Sequence, residues 1–428
     1  MSTDVSRYMP SDPVGAAALA VTPVLNTLKP SAILMLAARV RKLKSEGQAI
    51  CDLTVGDFSP RHFPVPPELI DGTERALREG HTNYPPSDGV PELREALARF
   101  YTRELGLTYP AASFVVAGGA RPPLYGSWRL FAEPGDRTIS YVPSWNNGYY
   151  AHLTQADHRY VRTRPETNFF PTVAQVEADL PTARLVMLNS PLNPTGTAID
   201  ADTLTGIARA VVAENQRRAG KRPVMLVYDQ VYWMLTFGET QHVNPVSLVP
   251  EVAPYVVHVD AISKAFAATG LRVGWAVLPP YLAPRMSGFL GHVGAWAPRA
   301  EQIATARLLD DPDAMRRYHA GMKANVEARL NKLYDGVQAM RGRGLPINAI
   351  RPQGGIYLSL HVDLIGRGFQ TNDEIGNFLL DRAGVAIVPF QAFDLDEDSG
   401  WFRISVGAVG LDELDGALER LESALRSR

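Results

Sequence analysis

Six short apolar runs separated by helical or loop segments constrain this 428-residue chain most: Phe114 to Ala117, Thr138 to Val142, Arg184 to Leu188, Val224 to Tyr228, Tyr255 to Val259 and Trp275 to Leu278. Runs of this kind alternating with helices predict an α/β fold, in which helices cover both faces of a parallel sheet. Trp145, Asn193, Asp229 and Lys264 fall just past the ends of four of the runs. Ligands of open α/β sheets bind at the carboxyl ends of the strands, so these four residues are predicted to converge on one crevice.

The flanking segments are legible by period. Ile33, Leu36, Ala37, Val40 and Leu43 predict a helix, and Ile50 to Val55 alternates as a strand before Gly56-Asp57-Phe58, a turn that either brings amides to a ligand or simply reverses the chain. Phe114 to Ala117 runs into Gly118-Gly119-Ala120-Arg121-Pro122-Pro123 and a helical stretch to Phe131. A strand, a glycine turn and a helix start suit a phosphate, although no Gly-Lys-Ser/Thr loop and no complete GxGxxG is present. Met322, Val326, Leu330, Leu333, Val337 and Met340 predict a long helix over 311–341 that leads out of the sheet into a smaller α/β unit. Residues 1–30, rich in Pro, Ala, Ser and Thr, predict an extended arm of the sort that lies across a partner subunit.

Composition excludes several classes. A content of 46% hydrophobic and 21% charged residues is that of a soluble globular enzyme, and a net charge of −2 gives no footing for nucleic acid. No apolar run approaches the roughly 20 residues of a membrane span, and Met1-Ser2-Thr3-Asp4 does not open like a signal peptide, so a cytoplasmic protein with no membrane partner is expected. The single cysteine, Cys51, rules out an internal disulfide and a CxxC metal site; among apolar strand neighbours it reads as buried and structural. No metal is expected.

A lysine in a turn after a strand is ordinarily a solvated residue, and Lys264 is set apart by its company. The order Gly118-Gly119-Ala120, Trp145, Asn193-Pro194-Thr195-Gly196, Asp229-Gln230-Val231-Tyr232, Ser263-Lys264, Arg272 and Arg403 resembles the class I aminotransferases, fold type I enzymes of pyridoxal 5′-phosphate. The resemblance runs from about Pro30 to the last helix. It implies a large domain with a mostly parallel seven-stranded sheet over 61–315, an arm and part of a small domain over 1–60, and a linking helix with the C-terminal small domain over 316–428.

It also implies roles. Lys264 forms a Schiff base with the cofactor and shuttles a proton, which requires a neutral amine. Asp229 partners the ring nitrogen, Tyr232 and Asn193 the phenolic oxygen, and Trp145 stacks on the ring. Gly119, Ala120, Arg121, Ser263 and Arg272 belong to the cofactor site, and Tyr84 reaches the phosphate of a neighbouring subunit, making the active unit a homodimer. Arg403 binds the substrate α-carboxylate as a fork, with Gly56 and Asn193 as the other substrate-binding residues. The expected activity is transfer of an amino group from an α-amino acid to a 2-oxo acid; a lyase, decarboxylase or oxidase of the same fold is the alternative.

Two departures stand out. Ala261 occupies a position where the family often has a phosphate-binding serine, a loss of about 1 kcal/mol by the usual hydrogen-bond scale. The Gly291 to Arg299 segment replaces one that lines the site in many relatives. A second substrate carboxylate has Arg61, His62, Arg121 and Arg299 as candidate receptors, whereas an apolar side chain has Phe58, Trp145 and Trp296.

Overall fold

The computed structural model describes residues 2–145 and 147–427. Its larger sheet has seven strands: β1 (Phe114–Ala117), β2 (Arg137–Val142), β3 (Asp157–Arg162), β4 (Leu185–Asn189), β5 (Met225–Asp229), β6 (Val256–Ala261) and β7 (Gly274–Val277). They lie in the order β1-β7-β6-β5-β4-β2-β3, and only β7 runs antiparallel to its neighbours. Every residue of β1, β4, β5 and β6 is buried, which is why these strands read as mainly apolar runs rather than as alternation, with His258 and Asp260 the buried polar residues of β6. Strand β3 was not among the six predicted. It is an edge strand of sequence Asp-His-Arg-Tyr-Val-Arg with no fully buried residue, and charge on an edge hides the strand signal while it blocks further pairing.

Register sets the crevice. Asn189 pairs with Asp229, and Asp229 with Val259, so β4, β5 and β6 end almost level and their following residues leave from one line.

A second, antiparallel sheet joins Val388–Pro389, Trp401–Ser405, Tyr357–Val362 and Ile347–Ala349, while Cys51–Asp52 pairs in parallel with Val385–Ala386. Cys51 is buried, and burial pushes its thiol up to about 12, so it is no nucleophile. The 31-residue helix Pro312–Gly342 buries Met322, Val326, Leu330, Leu333, Val337 and Met340 in the core shared with this sheet, the stripe its spacing predicts. No helix among the described residues is long and apolar enough to cross a membrane.

The N-terminal arm departs from expectation, because it is helical rather than extended over Pro13–Ala20 and Pro23–Asn26. Pro13 opens the first helix, Asp12 Oδ1 accepts from the Gly15 amide at 2.9 Å, and the alanines that follow favour helix whatever their packing. Neither helix has a buried residue, and Val14, Leu19 and Leu25 are exposed.

Leu330 is fully buried on the long helix, so Leu330→Ala should lower stability by about 2–5 kcal/mol. Urea denaturation should show this as a lower midpoint at unchanged slope; an unchanged midpoint would place the helix core elsewhere.

Candidate active site

A cavity of about 400 Å³ opens where β4, β5 and β6 end and the smaller sheet closes over them. Its lining includes Gly56, Ala120, Arg121, Trp145, Asn193, Asp229, Tyr232, Ser263, Lys264, Arg272 and Arg403. The structure therefore brings together residues up to 370 positions apart, from Ile33 to Arg403. Gly119 and Tyr84 are not in the lining. Gly119, at φ +92°, makes room for its neighbour: a Cβ there would sit 2.3 Å from Arg272 Nη2. Tyr84 is 80% exposed, its ring centroid 5.2 Å from that of Trp296.

Lys264 sits on a single helical turn, Ile262–Ala265, that begins as β6 ends. Its Nζ donates to the Gly56 carbonyl oxygen at 2.6 Å and lies 5.9 Å from the ring centroids of both Phe58 and Tyr232. Burial is the main cause that lowers its pKa to about 8; Asp57 opposes this and Arg403, Arg121 and Arg272 add to it. A minor neutral fraction, about a tenth at pH 7, thus exists.

Asp229 ends β5 and is 4% exposed. One oxygen, Oδ1, accepts from the Val231 amide at 3.2 Å, and burial raises the carboxyl to about 7 despite that bond and the attraction of Lys264. Beside it, Asn189 Nδ2 donates to the Asp229 carbonyl oxygen at 2.8 Å while Asn189 Oδ1 accepts from the Asn193 amide at 2.8 Å, tying two strand ends and the Asn-Pro-Thr-Gly turn together.

Arg403 comes from the smaller sheet and is 1% exposed. Nη2 donates to the Thr54 carbonyl oxygen at 2.6 Å and Nη1 to Asn193 Oδ1 at 3.2 Å, while buried Nε has no partner among the described residues. The guanidinium lies 4.8 Å from the ring centroids of both Tyr357 and Phe393. Tyr357 and Tyr232 share a hydroxyl hydrogen bond of 2.6 Å, and burial raises both phenols, so both remain neutral.

Arg272 holds a left-handed backbone, φ 58°, and donates from Nη1 to the Thr269 carbonyl oxygen at 2.7 Å and from Nη2 to that of Gly118 at 2.8 Å. Close by, Ala120 caps the helix Arg121–Phe131, and the Arg121 guanidinium lies 5.4 Å from the Trp145 ring centroid. Of the four candidate receptors for a second carboxylate, only Arg121 lines the cavity; of the apolar candidates, only Trp145 does.

Sequence reasoning did not assign Asn189, Tyr357, Arg41 or Asp57 to the site, although all four line the cavity. Asn189, the last residue of β4, was discoverable by the same end-of-strand rule that flagged Asp229. Arg41 and Tyr357 reach the cavity only through the packing of the outer helix and the smaller sheet, for which no local signal exists.

The chain matches the family model of aminotransferase class I and II over residues 49–421. It is 30% identical to an aspartate aminotransferase of Geobacillus stearothermophilus, over 94% of this chain and 98% of that one, and 30% identical to an aspartate/prephenate aminotransferase of Thermus thermophilus, over 94% and 97%. The solved aspartate aminotransferase of Thermus thermophilus with maleate superposes with a TM-score of 0.85 at 28% identity, covering 95% of this chain and 99% of that one. That of Rhizobium meliloti does so with 0.85 at 27% identity, covering 95% and 98%. The chain belongs to the class I and II aminotransferases and has their fold type I architecture. It is an enzyme that transfers amino groups.

A pH test follows from Asp229. Its folded pKa lies above the unfolded value, so the stability from holding it protonated is present below about pH 4 and is lost as pH rises through 7. In cofactor-free protein, Asp229→Asn should therefore gain about 2–4 kcal/mol over wild type between pH 4 and pH 8. Urea titrations at the two pH values check this; a pH-independent difference would mean that Asp229 is ionised throughout.

Proposed function

We propose that this aminotransferase uses pyridoxal 5′-phosphate held in the crevice, and that its amino donors are acidic amino acids whose α-carboxylate binds Arg403. The observation that carries the reading is that Lys264, Asp229 and Arg403 open into one cavity.

The residues present fit the cofactor. A buried carboxylate, Asp229, has no cationic side chain hydrogen-bonded to it among the described residues and matches a protonated ring nitrogen, which would draw its pKa back down. Carbonyl-anchored Arg272, Ser263 and the start of the Arg121–Phe131 helix form a phosphate cup, and Lys264 supplies the amine. When bound, the group supplies an aldehyde for amines and an electron-withdrawing ring that acidifies the substrate Cα–H.

The protein's part is positioning and proton transfer. Arg403, fixed by Thr54, Asn193 and two aromatic faces, keeps Nε for a carboxylate and orients the donor. Lys264, neutral in part at pH 7, would serve as the base at the substrate Cα–H, while Trp145 and Tyr232 line the place where the ring would be held. Tyr232 and Asn193 serve the phenolic oxygen. Five cationic side chains line the cavity against two carboxylates, Asp57 and Asp229, so the crevice attracts anionic substrates.

Acidic donors are supported by the names of the relatives, which act on aspartate, and by Arg121, which is exposed to the cavity with no ion pair or hydrogen bond among the described residues. A homodimer is supported by Tyr84, exposed against Trp296, and by the uncovered apolar residues of the arm; Tyr84 then completes the partner's phosphate site.

With 2-oxoglutarate as acceptor, aspartate should be preferred over phenylalanine as donor. Arg121→Leu should lower kcat/KM for aspartate by about 10- to 100-fold, 1.4–2.7 kcal/mol, and leave phenylalanine within about threefold. Equal losses for both donors would remove Arg121 from substrate selection, and amino-acid consumption without any oxo-acid acceptor would refute transamination. Lys264→Ala should fold normally by circular dichroism yet lose turnover by at least about 10⁴-fold; retained turnover would refute its role.

A further inference from the structure

Opposite the crevice, at the amino ends of the parallel strands, lies a second concentration of charge that transamination does not use. Arg137 and Asp157 begin β2 and β3, Arg184 directly precedes β4, and Arg217, Arg218, Lys221 and Arg222 follow one another from the end of the helix Ala201–Arg217 towards β5. These residues and Asp136 line a cavity of about 530 Å³.

The acids around it are already engaged. Asp157 accepts from Arg137 Nε at 2.8 Å, Glu214 from Arg217 Nε at 2.8 Å and from Arg218 Nε at 2.5 Å, and Asp136 from Arg222 Nη2 at 2.8 Å, with Glu133 at 3.2 Å from Arg222 Nη1. Six cationic side chains therefore share four carboxylates, which leaves an excess of two positive charges. That excess is localised. Lys221 is exposed and has no ion pair among the described residues, and Arg184 donates only from Nη2, to the Phe131 carbonyl oxygen at 3.0 Å, while its buried Nε and Nη1 have no partner among them. Burial and the neighbouring Arg222 and Arg218 hold the Arg184 guanidinium down to about 10, still charged at neutral pH.

Helix-end capping accounts for part of this arrangement: Arg218 Nη2 donates to the carbonyl oxygens of Leu180 and Pro181 at 2.7 and 3.1 Å. It does not account for Lys221, nor for a half-buried arginine whose enclosed Nε and Nη1 are idle beneath a concave basic surface. A dianion with tetrahedral oxygens would neutralise the excess and offer acceptors to several donors at once, which a monocarboxylate would not.

We propose that this cavity is a binding site for a phosphate-bearing small molecule, its phosphate held by Lys221 and the arginine rim above Arg184, whose Nε and Nη1 have no partner among the described residues. The site stands at the far end of the strands whose other ends carry Asn189, Asp229 and Lys264, so it is separate from the cofactor's phosphate cup.

The test is calorimetric titration of the cofactor-loaded enzyme with inorganic phosphate at low ionic strength. Saturable binding at one site per chain is expected. Lys221→Glu, an exposed change, should weaken it by about tenfold, the scale of one charge-assisted contact. Arg382→Glu, at an exposed position on the helix Asn372–Ala383, should bind as wild type does. Absence of saturable binding, equal affinity in wild type and Lys221→Glu, or an equal loss in both variants would each overturn the proposal.

Discussion

Arg403 is 1% exposed, yet among the described residues no acid pairs with it. Burying an uncompensated guanidinium is costly, and the surrounding chain is arranged to reduce that cost with neutral groups: two carbonyl-type acceptors, from Thr54 and Asn193, and two aromatic faces, Tyr357 and Phe393. Those groups belong to four separate segments. Holding one charge therefore fixes the N-terminal strand, the Asn-Pro-Thr-Gly turn and the smaller sheet relative to the strand ends of the larger one. In the proposed role of Arg403, a carboxylate arriving at the crevice would remove the residual penalty.

Two titratable groups of the cavity depend on this setting. Lys264 is brought down to about 8 chiefly by burial, with Arg403 as one of the cations that assist, and Asp229 is brought up to about 7 by the same exclusion of water. Neither shift would survive an open crevice. The level endings of β4, β5 and β6 place both groups at one mouth, and the smaller sheet supplies the low-dielectric cover. Position therefore comes from the larger sheet and electrostatics from the smaller one.

Legibility in the sequence followed burial. Strands buried on both faces, such as β5 and β6, announce themselves as apolar runs, and the long helix declared its stripe residue by residue. Strand β3 was invisible because this edge strand is polar and largely exposed, and the arm's helices were missed because capping and alanine propensity, rather than any apolar period, create them. Within the site, residues at strand ends could be found from spacing alone. Arg41 and Tyr357 could not, since their approach to the crevice is a product of long-range packing.

Ala261 shows how such packing changes the meaning of a departure. The residue is fully buried in β6 and pairs with Gly274, where a Cβ would meet the Gly119 backbone at 2.5 Å. Glycine at 274 thus lets β7 press the Gly118-Gly119 turn close, and glycine at 119 leaves space for the Arg272 guanidinium. Arg272 is then fixed by two carbonyl oxygens, which use only part of its five N–H donors and leave the others pre-aimed for an anion. A hydroxyl missing at 261 removes one neutral donor worth about 1 kcal/mol, whereas an arginine immobilised before the phosphate arrives forfeits little entropy on binding it. In the proposed phosphate cup, the glycine packing offsets what the alanine lacks.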